Sequence, residues 1–267
     1  MSPSKAIIVA AGRGRRLNNN TDEIPKCMVP VAGRPILHWQ LGAFARAGVR
    51  DVVAVRGYRG DRIDPGPTPM RFVENREWAS NNILASLLCA AAEMHEGFLF
   101  SYCDIVYAPA VVQSLVAAAT APDAAPVSMI VDRRWADAYQ GRDLHPVSEA
   151  ELARVGEVNG RPAVVRVGKG AVPREEAVGE FIGLAHFSAE GAAGLRKVWE
   201  RALSNGGLEA PFGRAPALRQ AYLTDALNAL ADEGVRLHPV FIDGEWREID
   251  TPQDLASATR AANLWSA

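Results

Sequence analysis

Residues 6–11 (AIIVAA) form a short apolar run rich in β-branched side chains, and the run stops at Gly12. Such a run, bounded by glycine, predicts a strand buried on both faces. Ile36, Trp39, Ala43, Phe44 and Ala47 recur at helical spacing and give way to Gly48, which predicts an amphipathic helix with a glycine stop. Residues 51–56 (DVVAVR) read as a second strand. Residues 64–69 (DPGPTP) read as loop, and 71–74 as a third strand. Ile83, Leu84, Leu87, Leu88 and Ala91 mark a second helix. Residues 98–103 give a fourth strand closed by Asp104, Pro109 opens a helix to about residue 119, and 127–131 return as strand.

Strands alternating with helices predict βαβ units and a largely parallel sheet. The rhythm then changes. Residues 155–158 and 163–167 flank Asn159-Gly160, a strong hairpin signal, and a further strand is expected at 181–187. Helices follow at 189–203 and 217–231, then a strand at 237–242, an Asp243-Gly244 turn and a helix after Pro252. The expected fold is α/β: a Rossmann-like, mostly parallel mixed sheet flanked by helices, with a β-rich insertion over the strand carboxyl ends. One domain is expected over 1–267.

Composition narrows the picture. With 267 residues, 48% hydrophobic, 22% charged and a net charge of −2, the chain is neither disordered nor collagen-like. The balanced charge gives no basic field for nucleic acid. No apolar run reaches the ~18 residues of a membrane span, and residues 6–11 are too short for a signal-peptide core. Cys27, Cys89 and Cys103 form no CxxC pair and read as reduced, core-filling thiols of a cytoplasmic protein.

The chemistry begins at residues 10–17, AAGRGRRL. Gly12 and Gly14 follow the first strand and let backbone N–H groups approach a phosphate. Arg13, Arg15, Arg16 and Lys26 crowd the loop, a density of cations suited to a triphosphate. Leu17 stands where a dinucleotide fingerprint wants a third glycine, and no Walker Gly-Lys-Ser/Thr follows. The blander reading is a plain turn with solvated arginines. Gly12, Glu74 and Asp104 fall at predicted strand ends and should converge, because ligands gather there in open parallel sheets. A second acidic cluster holds Glu248 and Asp250. Mg²⁺ needs one or two carboxylates, with phosphate oxygens completing its shell. The alternatives are turn or cap roles: Asp104 as a helix N-cap, and Asp250 capping the helix after Pro252, where Thr251 competes. Five scattered histidines show no HxH or HxxxH spacing, which argues against zinc.

AAGRGRRL followed by Pro25-Lys26 resembles the nucleotidyltransferase superfamily with a nucleotide-diphospho-sugar transferase fold. The resemblance implies that Gly12, Gly14, Arg16 and Lys26 hold NTP phosphates, with Ala10, Ala11 and Arg15 beside them. Arg15 departs from the Thr or Ser of many members. It also implies that Asp104 and Asp250 hold Mg²⁺, with Glu248 assisting. Asn81-Asn82 before a Ser86-Leu87 helix, Val167-Gly168-Lys169, residues 179–183 and WREIDTPQDL at 246–255 are similar to the phosphocholine and phosphonate cytidylyltransferase branch. The likeness spans roughly residues 5–262. It divides the chain into a nucleotide-binding part (5–131), an acceptor-binding insertion (132–187) and C-terminal helices with the second metal carboxylate (188–267).

On this basis the expected activity is Mg²⁺-dependent transfer of CMP from CTP to a small phosphate or phosphonate, with release of pyrophosphate and with Arg16, Lys26 and Lys169 as catalytic cations. Glu74, Asn82 and Ser86 are candidates for holding the base. Asp132, Trp135 and Tyr139 fall at i, i+3 and i+7, so a helix would align them to hold an ammonium or choline head, with Glu180 and Asp225 adding charge. An aromatic core edge is the blander reading of that trio. The resemblance is compatible with a homodimer. Two other functions stay open: a sugar-1-phosphate nucleotidyltransferase using UTP or dTTP, and a nucleotide-binding regulator without turnover.

Overall fold

The computed structural model describes residues 3–265; the expected domain range, 1–267, extends past them at each end. In chain order the elements are β1 (Lys5–Ala10), β2 (Pro30–Val31), β3 (Arg34–Pro35), α1 (Ile36–Arg46), β4 (Asp51–Arg56), β5 (Met70–Glu74), α2 (Ile83–Leu88), β6 (Phe98–Tyr102), β7 (Ile105–Tyr107) and α3 (Pro109–Thr120). Then come β8 (Val127–Asp132), α4 (Trp135–Ala138), β9 (Leu152–Val158), β10 (Arg161–Val167), β11 (Gly179–Phe187), α5 (Ala189–Gly206), α6 (Leu223–Asp232), β12 (Leu237–Ile242), β13 (Trp246–Glu248) and α7 (Pro252–Trp265).

The main sheet runs β10-β9-β11-β6-β1-β4-β5, with β8 joining β11 to β12. Its β6-β1-β4-β5 part is parallel, as the βαβ rhythm predicts. β11 runs antiparallel to β6, β8 and β9, so the sheet is mixed. Alternation along β1 divides the core. Ile7 and Val9 face a cluster that takes in residues of α2, α5 and α6, while Ala6 and Ile8 face one that takes in residues of α1 and α3. The Asn159-Gly160 hairpin forms with φ of +52° and +70°, extending the sheet through β9 rather than building a separate layer. The loops at its ends reach the strand carboxyl ends.

Several expectations are corrected. The helix predicted at 217–231 begins only at Leu223, after a 3₁₀ turn at Leu218–Gln220. Asp132, Trp135 and Tyr139 do not share a helix face. Asp132 closes β8, and α4 is a single turn. Among the cysteines Cys27 and Cys103 are buried, whereas Cys89 is exposed, and all three are free. β7 and β13 are too short to show in the hydrophobic pattern. They pair antiparallel, matching Glu248 with Ile105. Gly183 illustrates a backbone demand. It lies at φ +83°, and a Cβ there would meet the Tyr102 ring at 2.1 Å, so only glycine lets the ring pass. Among the described residues no helix is long and apolar enough to cross a membrane.

Candidate active site

A cleft of about 390 Å³ opens at the carboxyl ends of β1 and β6. Its floor is the loop after β1. Gly14 sits at φ +68°, and a Cβ there would meet the Lys26 stem at 2.8 Å, so this glycine lets the lysine run beneath the loop. A Cβ at Gly12 would meet nothing, which leaves space for a ligand against the backbone. Ala11, Arg15, Arg16 and Lys26 also line the cleft; Ala10 lies in the strand beneath it.

Lys26 is 5% exposed, and its Nζ lies between two carboxylates: Asp104 Oδ2 at 2.8 Å and Asp250 Oδ1. Burial opposes charging the ammonium, but the two aspartates outweigh it and hold the Lys26 pKa far above the ordinary value. Burial likewise opposes ionisation of Asp250. Lys26, His145 and Arg16, whose guanidinium lies 2.9 Å from Oδ2, hold its carboxyl well below the usual range.

Three contacts bring these groups together. The Ile249 amide donates to the Asp104 carbonyl at 2.8 Å. Gln40 of α1, fully buried, donates from Nε2 to the carbonyls of Tyr102 and Ile105 at 2.7 and 2.8 Å, clamping the turn that carries Asp104. Thr251 and Asp254 cap α7 reciprocally, Thr251 Oγ1 accepting from Asp254 N and Asp254 Oδ2 from Thr251 N. The Asp250 side chain is therefore not spent as a cap.

The loop after β10 holds Lys169, whose Nζ meets Glu149 at 2.9 Å and lies over the Tyr222 ring at 5.1 Å. Asn82 and Ser86 line the cleft. Ser86 belongs to a hydrogen-bonded trio with Asn75 and Asn81. Glu180 lines it as well, with Oε1 accepting from Tyr139 Oη at 2.8 Å; burial and nearby Glu248 push its carboxyl up to about 8.

Five predicted residues lie elsewhere. Glu74 pairs with Arg56 at 2.5 Å, half-exposed and outside the cleft. Asp132 accepts from Gly244 N, Arg134 N and Trp246 Nε1 at 2.7–2.9 Å, tying β8 to β13 rather than reaching toward a ligand. Asp225 accepts from Arg214 N and Tyr222 N and caps α6. Trp135 packs in a small cluster with Ala150, Leu152 and Val172; Tyr139 belongs to the same cluster and touches the cleft only through Glu180.

The sequence reading missed Glu149, Glu151 and His145. Glu151 lines the cleft, accepts from Tyr102 Oη at 3.0 Å and is pushed up to about 7 by burial. His145 is 1% exposed and stands beside Glu248 and Asp250. No local pattern marks these residues, because each is set by where the 133–151 segment lands.

A glycine loop at the end of β1, converging cations and a carboxylate pair brought together from the β6 turn and the end of β13 define a nucleotidyltransferase. Comparison with known proteins agrees. Residues 6–251 match the model of the MobA-like NTP transferase domain, and the chain belongs to that family. It is 28% identical over 264 residues to the CTP:phosphoglutamine cytidylyltransferase of Campylobacter jejuni, covering 94% of this chain and 97% of that one. It is 25% identical over 258 residues to the 2-aminoethylphosphonate cytidylyltransferase of Lancefieldella rimae, covering 95% and 91%. Among solved structures, the inositol-1-phosphate CTP transferase from T. maritima superposes with a TM-score of 0.74 at 21% identity, covering 100% of this chain and 97% of the other.

Proposed function

We propose that the protein is a Mg²⁺-dependent cytidylyltransferase that moves CMP from CTP to a small, amine-bearing phosphate or phosphonate and releases pyrophosphate. The observation that carries this reading is the Lys26 ammonium held between Asp104 and Asp250 inside the glycine-loop cleft. The names of the full-length relatives support both the cytidine and the phosphorus-bearing acceptor.

The attacking oxygen of such an acceptor is already anionic, so the transfer needs no general base. Arg16, Lys26 and Lys169 hold phosphate charge, and the loop amides fix the chain of phosphates for in-line attack. The carboxylates fit a divalent cation. Asp104 Oδ1 is buried without a hydrogen-bond partner, and Glu248 is pushed up first by burial, then by Asp250 and Asp104. Asp104 and Asp250, with Glu248 beside them, would hold the ion; when bound it neutralises phosphate oxygens. Asn82 and Ser86, both expected to hold the base, do so with Asn81 in place of Glu74. Glu151 and Glu180 give the acceptor's ammonium two carboxyl groups to meet, which its charge would favour ionising, in place of the Asp132 and Asp225 carboxylates.

The test is a pyrophosphate assay with Mg²⁺ over CTP, UTP, dTTP, ATP and GTP against 2-aminoethylphosphonate, phosphocholine and glucose-1-phosphate. CTP with an amine-bearing acceptor should turn over fastest. Preference for UTP or dTTP with the sugar phosphate would replace this reading with the sugar branch.

A further inference from the structure

His145 is the buried polar group the reaction above leaves unexplained. It is 1% exposed, and neither ring nitrogen makes a well-aligned hydrogen bond. Yet Nδ1 lies 3.2 Å from Asp250 Oδ2 and Nε2 lies 3.5 Å from Glu248 Oε2. A buried imidazole that faces two carboxylates without a well-aligned hydrogen bond to either keeps a nitrogen lone pair free for a further partner. One ligand atom from each of His145, Glu248 and Asp250 falls within 4.8 Å of the others. Neighbouring ligands of an ion with ~2.1 Å bonds stand roughly 3–4 Å apart, and the 3.2 Å between His145 Nδ1 and Asp250 Oδ2 falls in that range.

We propose that His145, Glu248 and Asp250 form a second divalent-cation site at the edge of the cleft, with His145 as a nitrogen ligand. Asp250 would then serve two ions, with Oδ1 on the cleft side beside Lys26 and Oδ2 on the side of His145. An imidazole ligand suits Mn²⁺, Co²⁺ or Zn²⁺ better than Mg²⁺, which prefers an all-oxygen octahedron. The charges present set when the site loads. Arg16 lies 2.9 Å from Asp250 Oδ2, and Arg142 donates to Glu248 Oε2 at 2.9 Å. Nucleotide phosphates recruit Arg16 and free Asp250 Oδ2. A carboxylate that shares one oxygen with an arginine keeps lone pairs for an ion. The site is therefore nucleotide-dependent. The inference rests on the metal-dependent reading of the cleft.

The experiment is electron spin-echo spectroscopy of Mn²⁺ bound to the whole protein with α,β-methylene-CTP, which cannot be turned over. Nitrogen modulation on Mn²⁺ is expected. It should shift to the ¹⁵N pattern when only histidine is ¹⁵N-labelled, which separates His145 from the Lys26 amine. His145→Gln should abolish it while one Mn²⁺ remains at the cleft carboxylates; should that variant fold poorly, the labelled wild-type protein decides alone. Mn²⁺ bound without histidine coupling overturns the inference and leaves the proposed function standing. No Mn²⁺ binding at all overturns both.

Discussion

The amide of Ile249 donates to the carbonyl of Asp104 at 2.8 Å, and this one main-chain bond places Asp250 across Lys26 from Asp104. It joins the turn after β6 to the end of β13, so the acidic pair exists only when the C-terminal segment has docked. Asp104→Asn and Asp250→Asn should each lower kcat by about 10²–10³ while leaving the fold intact, the usual loss for one preorganised electrostatic contact. Pyrophosphate release and a thermal melt on each variant measure the two effects, and a chelator should abolish wild-type turnover.

Lys26→Met removes the ammonium and leaves two carboxylates facing each other. The destabilisation should be at most about 3–5 kcal/mol, the cost of breaking a buried charge pair, and less because Asp104 is partly exposed. Added Mg²⁺ should raise the melting temperature of the variant more than that of the wild type, since an ion can take the lost charge's place. No Mg²⁺ shift in either protein would remove these aspartates from cation binding.

Gln40 touches no ligand, yet it clamps both sides of the Asp104 turn. Gln40→Leu takes a donor from two buried carbonyls, of which that of Tyr102 keeps Ser101 Oγ, a loss of about 1–3 kcal/mol. Because the turn is loosened, kcat should fall more than the KM for CTP rises. Denaturant unfolding and steady-state kinetics separate the two.

Asp132 was expected to meet the acceptor and instead binds Trp246 Nε1 and two amides. Asp132→Asn should cost about 1–3 kcal/mol of stability by turning one accepting oxygen into a donor among donors. The KM for the acceptor should stay within about twofold in the folded fraction. A tenfold rise in that KM would restore the acceptor role.

Glu180 has its pKa raised from 4.5 to about 8. The folded state holds this proton over a range where the unfolded chain has released it, so stability falls as pH rises from about 4.5 through about 8. Glu180→Gln, which cannot ionise, should flatten that fall and melt higher than wild type above pH 8. Thermal melts of both proteins across that window check the sign. If Glu180 also meets the acceptor's ammonium, the variant should raise the KM for 2-aminoethylphosphonate while leaving that for CTP unchanged.

Local pattern carried much of the fold. The residues of β1, α1, β4 and β11 announce their element through periodicity and a glycine or proline stop, and the hairpin at Asn159-Gly160 through two residues that accept positive φ. β7 and β13, three residues each, were illegible because their pairing comes from contact with each other. In the cleft, the glycine loop with Lys26 and the Asp104 and Asp250 carboxylates could be picked out in the sequence as residues of the right chemistry at strand or segment ends.

By itself the sequence determined which segments bury which face, because side-chain periodicity acts over a few residues. It also determined that a cation-rich glycine turn would sit at a strand end. Only the tertiary structure decided which acids share Lys26, that Asp225 is spent on backbone amides and Asp132 on two amides and the Trp246 indole, and that His145 meets Glu248 and Asp250. A buried polar group takes whichever partner the packing delivers, and that choice is made across distances no local pattern encodes.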